Sequence, residues 1–215
     1  MEELIEIIVD RHNMLVERNI FLLQALSDRG IAIPSLCFNA SLGAYGSCGL
    51  CIVETCKDDV WLPRHACLVR PEAGLQIRTA SPRIQRLRAH AARLLLKRGP
   101  FLKKEVEALL LTLVKEGTDS MEPSRLAGSL EGSGENHISL DKRGCLLCGL
   151  CVRICRKIGK CQLTFLGRGK SLRVGLVSGD SATVACGSCR ACRHICPTGF
   201  ITPDARQAFT ARLYR

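Results

Sequence analysis

Residues 145–155 read Cys-Leu-Leu-Cys-Gly-Leu-Cys-Val-Arg-Ile-Cys, and residues 186–196 repeat the outline as Cys-Gly-Ser-Cys-Arg-Ala-Cys-Arg-His-Ile-Cys, followed by Pro197. Both runs have the spacing C-x2-C-x2-C-x3-C. With only two copies, offset by about 41 residues, this is an internal repeat and not a solenoid. Three thiolates at such spacing wrap three corners of an iron-sulfur cube, while the fourth cysteine of each run serves the other cluster. The runs therefore predict two 4Fe-4S clusters with crossed ligand sets. Cys145, Cys148, Cys151 and Cys196 hold the first, and Cys155, Cys186, Cys189 and Cys192 the second. Crossing keeps the two clusters close and at fixed separation, which rapid electron exchange requires. A pair of zinc sites is the rival, but zinc motifs place two C-x2-C pairs apart instead of two contiguous triplets. Cys161 follows Cys155 closely and is an alternative ligand, against which stands the plainer reading of a packed, unligated thiol.

Towards the N-terminus, Cys37, Cys48 and Cys51 have the spacing C-x10-C-x2-C, and Cys67 follows. These four can close on a 2Fe-2S centre. Gly43, Gly46 and Gly49 let the loop bend tightly and aim N–H groups at sulfur. Cys56 competes with Cys67 as fourth ligand, although a strand residue pointing away from the loop is more simply a small buried hydrophobe. His65 either tunes this centre by a hydrogen bond or is a surface histidine, and stays unassigned. His90 has no cysteines nearby to share a metal with and reads as structural.

Around these motifs, Leu4–Val9 and Met14–Glu17 read as two strands of a hairpin with its turn at Asp10–Asn13. Asn19 is placed to cap a short helix with the apolar face Leu22, Leu23, Ala25 and Leu26, ended by Gly30. Pro34 forces an extended entry into the first cysteine loop. Ile52–Thr55 and Leu75–Thr79 read as further strands. Ser81-Pro82 starts a helix carrying Ile84, Leu87, Ala91, Leu94 and Leu95, stopped by Gly99-Pro100. Leu102, Val106, Leu109, Leu110 and Leu113 repeat the helical period until Gly117. Residues 117–136 lack periodicity and read as a linker. The expected organisation is an α+β chain with domains at 1–80 and 137–215 and a helical hairpin and linker over 81–136.

Of the 215 residues, 47% are hydrophobic but only 4% aromatic, so the core must be built from Leu, Ile, Val and Ala. Fourteen cysteines would suggest disulfides in a secreted chain. However, Met1–Asp10 carries Glu2, Glu3 and Glu6 and lacks a signal-peptide pattern, so a reducing, cytoplasmic setting is expected. No apolar run is long enough to span a membrane. The net charge of +11 raises an anionic partner. Three oxidised clusters of roughly two negative charges each would bring it to about +5. Arg83, Arg86, Arg88, Arg93, Lys97 and Arg98 crowd the helix after Ser81, as a solvated face or as a docking surface for an acidic partner. Gly167–Ser171 has Thr164 where a phosphate loop needs its first glycine, and no G-x-G-x-x-G follows a strand, so nucleotide cofactors belong to partners.

Ile33-Pro34-Ser35-Leu36-Cys37, Gly46-Ser47-Cys48-Gly49-Leu50-Cys51, Ala66-Cys67 and the paired runs flanking Phe165-Leu166-Gly167-Arg168-Gly169 carry a resemblance. The chain resembles the N-terminal electron-input module of the large iron-sulfur subunit of respiratory NADH dehydrogenase, a module also found in NAD-linked hydrogenases and formate dehydrogenases. The resemblance spans nearly the whole chain except about residues 100 to 140. It implies a β-grasp, plant-type 2Fe-2S ferredoxin domain followed by a bacterial-type two-cluster 4Fe-4S ferredoxin domain. It further implies an electron-transfer subunit linking a flavin- and NAD-binding subunit to a catalytic redox subunit; low aromatic content and the contiguous cysteine triplets separately argue against a nucleic-acid partner. The family's additional cluster, bound by one His and three Cys, is expected to be missing, because residues 97–143 contain no cysteine. Arg156 replaces a proline common after the fourth cysteine, and Gly49 stands where the family often has arginine; neither change removes a ligand. The rivals are a shortened catalytic oxidoreductase polypeptide, with the catalytic parts expected to lie outside this chain, and a basic zinc module contacting nucleic acid.

Overall fold

Alternation of Ile5, Ile7 and Val9 with outward-facing neighbours builds β1 (Leu4–Val9), which pairs antiparallel with β2 (His12–Glu17). The turn is shorter than the sequence suggests. Val9 pairs with His12, so only Asp10 and Arg11 form the loop, at φ of 48° and 73°. Two left-handed residues match the twist of a hairpin. A distant contact also engages Asp10, whose carboxylate accepts from the Thr79 amide at 2.8 Å and the Thr79 hydroxyl at 2.5 Å. The computed structural model describes residues 3–119, 144–177 and 189–201.

The helix α1 (Leu22–Asp28) buries the expected face of Leu22, Leu23, Ala25 and Leu26, each leucine contributing about 1.5–3 kcal/mol on burial. Its cap is Phe21 and not Asn19, and no side chain satisfies its first amides. Backbone does so instead: the Leu22 and Leu23 amides donate to the carbonyls of Val69 at 2.8 Å and Ala66 at 3.1 Å. Gly30, at φ 78°, ends the helix as anticipated.

Strands β3 (Ile52–Lys57), β4 (Val60–His65) and β5 (Gln76–Arg78) complete a mixed five-stranded sheet in the order β2-β1-β5-β3-β4. Only the β1–β5 pair is parallel. β4 was not foreseen from the sequence. Pro63 argues against a strand, yet β4 lies at the edge, where one lost amide costs no ladder bond on the open side. The buried faces of β1, α1 and β5 form one core with Val53, Cys51 and Cys67.

Helix α2 (Pro82–Leu96) begins where predicted: the Ser81 hydroxyl accepts from the Ile84 amide at 3.1 Å, with proline at the first helical position. Helix α3 (Lys104–Asp119) runs through Gly117 instead of ending there. A Cβ at Gly117 would come within 2.3 Å of the Ala89 Cβ and 2.7 Å of the Gln85 carbonyl oxygen, so this glycine permits close helix approach and does not stop the helix. The expected linker beyond residue 119 lies outside the described residues.

The described residues divide into two compact units, one of 3–94 with 110–119, the other of 95–109 with 144–177 and 189–201. The residues expected to form a spacer are thus shared between the units. In the second unit, α4 (Leu150–Lys157) and α5 (Ala191–Ile195) accompany an antiparallel hairpin of β6 (Leu163–Leu166) and β7 (Arg173–Leu176). Gly167–Ser171 is the hairpin's connection, closed by the Arg168 amide donating to the Ser171 hydroxyl at 2.9 Å. No helix among the described residues is long and apolar enough to cross a membrane.

Candidate metal centres

Between α1 and β3 the chain carries Cys37, Cys48 and Cys51 through a loop whose Gly43, Gly46 and Gly49 all have φ between 71° and 75°. Cys67 reaches the same place because α1's first amides hold the carbonyls of Ala66 and Val69, and the Ala66 amide bonds the Cys51 carbonyl at 2.8 Å. All four cysteines are buried, at 5% exposure or less. They form two pairs, Cys37 with Cys48 and Cys51 with Cys67. The Cys48 thiol donates to Cys37, which brings Cys37 down to about 6, and Cys51 likewise brings Cys67 down to about 7. Donation and burial push Cys48 and Cys51 well up. The pairs lie close enough for Cys37 to act on Cys67 and Cys48 on Cys51.

Backbone amides converge on the same sulfurs. The Cys48 amide donates to Cys37 Sγ at 3.4 Å and the Leu36 amide to Cys48 Sγ at 3.5 Å, while the Tyr45 and Gly46 amides address Cys67. Two thiol pairs ringed by N–H groups fit a binuclear centre, with two thiolates for each of two irons and amides to stabilise the negative sulfurs. A mononuclear site differs, needing all donors around one point. Cys56 lies outside this buried core, on β3 opposite Trp61, and is half-exposed. His65, at the end of β4, keeps a buried Nδ1 without a hydrogen-bond partner.

In the second unit, Cys145, Cys148 and Cys151 from one run and Cys196 from the other line a single apolar cavity with Val174, Thr198 and Phe200. Burial, then the neighbouring thiols of Cys145, Cys148, Cys196 and Cys192, pushes Cys151 far up. Thr198, buried at 1% exposure, lies 3.5 Å from Cys196 Sγ through its hydroxyl. Cys155 is buried on α4 and accepts from the Gln162 amide at 3.2 Å. Cys189 and Cys192 are half-buried, and Cys186 lies outside the described residues. Cys161 is exposed, with φ 48°.

A family model described as a 2Fe-2S iron-sulfur cluster binding domain matches residues 2–82. The chain is 25% identical over 205 residues to an NADH-quinone oxidoreductase subunit of Rhizobium meliloti (strain 1021), covering 91% of this chain and 24% of that protein. To the NADPH-Fe(3+) oxidoreductase subunit alpha of Geobacter sulfurreducens (strain ATCC 51573 / DSM 12127 / PCA) it is 26% identical over 206 residues, with the same coverage of 91% and 24%. The chain therefore spans about a quarter of the length of these curated relatives. Among solved structures, a chain of an NAD+-reducing NiFe-hydrogenase in the H2-reduced state shares the fold, with TM-score 0.61 and 24% identity over 81% of this chain and 76% of that one. In sequence the chain is similar to subunits of NADH- and NADPH-linked oxidoreductases, and these likenesses support a resemblance to the N-terminal module of the NADH dehydrogenase large iron-sulfur subunit. The span matched by the 2Fe-2S domain model lies in the first unit and includes Cys37, Cys48, Cys51 and Cys67.

The basic residues of α2 and of the turn after it are not one solvated face. Arg88 is buried at 8% exposure and bonds the carbonyls of Ile52 and Thr79 at 2.6 and 3.1 Å. Arg98 is half-buried and donates to the Cys145 carbonyl at 2.6 Å. Arg83, Arg86 and Lys97 remain exposed. Sequence reasoning missed Arg88, Arg98 and Thr198 as neighbours of the cysteines, since charge or hydroxyl alone carries no signal of which carbonyl or sulfur it will meet.

Proposed function

We propose that this chain is an iron-sulfur electron-relay subunit of a multi-subunit oxidoreductase, with no substrate site of its own. It holds one 2Fe-2S cluster on Cys37, Cys48, Cys51 and Cys67. It holds two 4Fe-4S clusters, one on Cys145, Cys148, Cys151 and Cys196, the other on Cys155, Cys186, Cys189 and Cys192. The observation that carries the reading is the cavity shared by Cys145, Cys148, Cys151 and Cys196. That Cys196, 45 residues beyond Cys151, joins the triplet in this apolar cavity supports runs that trade their fourth ligands. Bound clusters supply one-electron storage at low potential, and plant-type 2Fe-2S centres lie near about −400 mV. The chain's own contribution is burial of the thiols, amide donation to sulfur and exclusion of water.

The relatives named as NADH and NADPH oxidoreductases, and the hydrogenase of like fold, support an NAD(H)-linked flavoprotein as one partner and a low-potential catalytic subunit as the other. Anaerobic purification with iron determination and mass identification of co-purifying proteins tests this. About ten irons per chain, a reduced 2Fe-2S signal, and a flavoprotein bound to the chain are the expected results. Zinc without iron, or a colourless chain unchanged by dithionite, overturns it.

A further inference from the structure

The segment between α2 and α3 belongs to the second unit and touches its cysteine loops at two places. On one side Arg98 Nε donates to the Cys145 carbonyl, and the Gly144 amide donates to the Arg98 carbonyl, both at 2.6 Å. On the other, Lys103 Nζ donates to the Cys196 carbonyl at 3.2 Å and the Lys103 amide to the Thr198 carbonyl at 3.0 Å. Two glycines make room for this approach. A Cβ at Gly144, where φ is 87°, would come within 3.1 Å of the Pro100 carbonyl oxygen, and a Cβ at Gly199, where φ is 71°, within 3.2 Å of Lys103 Cγ. Cys145 and Cys196 are the first thiol of one run and the last of the other, and they line the same cavity.

We propose that Arg98 and Lys103 form an electrostatic clamp on the site of Cys145, Cys148, Cys151 and Cys196, joining its two runs and favouring the reduced state of the cluster bound there. The inference rests on the 4Fe-4S reading given above. Each cation binds the carbonyl of a residue whose thiolate addresses the cluster, placing positive charge on its polypeptide shell. Reduction adds one electron from the donor, with no bond made or broken, and deepens the negative charge. Cations held at this distance stabilise that added charge, as local charge and hydrogen bonding set cluster potentials. Arg98 is half-buried whereas Lys103 is exposed, so solvent screens Lys103 more. Both are positioning residues.

The test is an anaerobic redox titration of the full, iron-loaded chain, followed by EPR, with Arg98→Met, Lys103→Met, Arg98→Lys and Lys97→Met. Arg98→Met is expected to lower the midpoint of one 4Fe-4S signal enough to cut its reduced-to-oxidised ratio about tenfold, about 59 mV for one electron. Lys103→Met moves the same signal less, Arg98→Lys restores it, and exposed Lys97→Met leaves it in place. Loss of that signal in Arg98→Met with retention in Arg98→Lys equally supports the clamp. Unmoved midpoints in both methionine variants at wild-type iron content overturn it, as does an equal shift from Lys97→Met. A wild-type chain with about two irons and a 2Fe-2S signal alone overturns the underlying 4Fe-4S reading instead.

Discussion

Arg88 of α2 donates to the carbonyl of Ile52, the residue directly after Cys51, at 2.6 Å, and the same nitrogen reaches the Thr79 carbonyl at 3.1 Å. One guanidinium thereby ties the exit of the cysteine loop to the end of the sheet. Burial lowers its pKa while Glu116 and then Cys51 oppose that shift. Replacing it by methionine keeps the stem but removes both hydrogen bonds to these part-buried carbonyls. Hydrogen bonds to charged groups contribute about 1.5–3 kcal/mol, and Arg88→Met should lower stability by that amount in urea unfolding. A midpoint equal to wild type would contradict the role.

Cys67 and Cys56 give opposite outcomes on serine substitution. Cys67→Ser should abolish or alter the reduced 2Fe-2S EPR signal and remove about two irons per chain. Cys56→Ser, on β3 and outside the buried thiol cluster, should leave signal and iron unchanged. Reversal of the two results would make Cys56 the fourth ligand.

The metal-free chain has a pH dependence of definite sign. Cys37 and Cys67 fall from 9.0 to about 6 and about 7, so their contribution is complete above pH 9 and is lost as pH falls through 7 and 6. Cys48 and Cys51 are raised, so their contribution is complete below pH 9 and declines above it. Stability in urea should rise from pH 6 to about 9 and then fall. A decline between these two pH values would show that the thiol pairs do not form without metal.

Gly117→Ala sets propensity against packing. In an open helix alanine is favoured by about 1 kcal/mol. Here its Cβ would overlap Ala89 Cβ and the Gln85 carbonyl oxygen, and backbone cannot swing aside. Overpacking costs about 1–3 kcal/mol, so the variant should melt below wild type. A higher melting temperature would mean that the helices separate freely at this point.

Local signals in the sequence were enough where the decisive forces were local. Cysteine spacing named the candidate ligands, alternation of Ile5, Ile7 and Val9 gave β1, and Ser81-Pro82 gave the start of α2, because side-chain period and capping act within a few residues. Tertiary structure decided the rest. β4 exists despite Pro63 because it is an edge strand, the Asp10-Arg11 turn has Thr79 as a distant partner for its carboxylate, and Gly117 is a contact point because Ala89 faces it. The pairing of Cys51 with Cys67 depends on amides of α1 holding Ala66 and Val69. Such choices depend on groups that meet only after the chain has folded, and their energies arise from burial and hydrogen bonds between segments far apart in sequence, where no pattern of neighbouring residues records them.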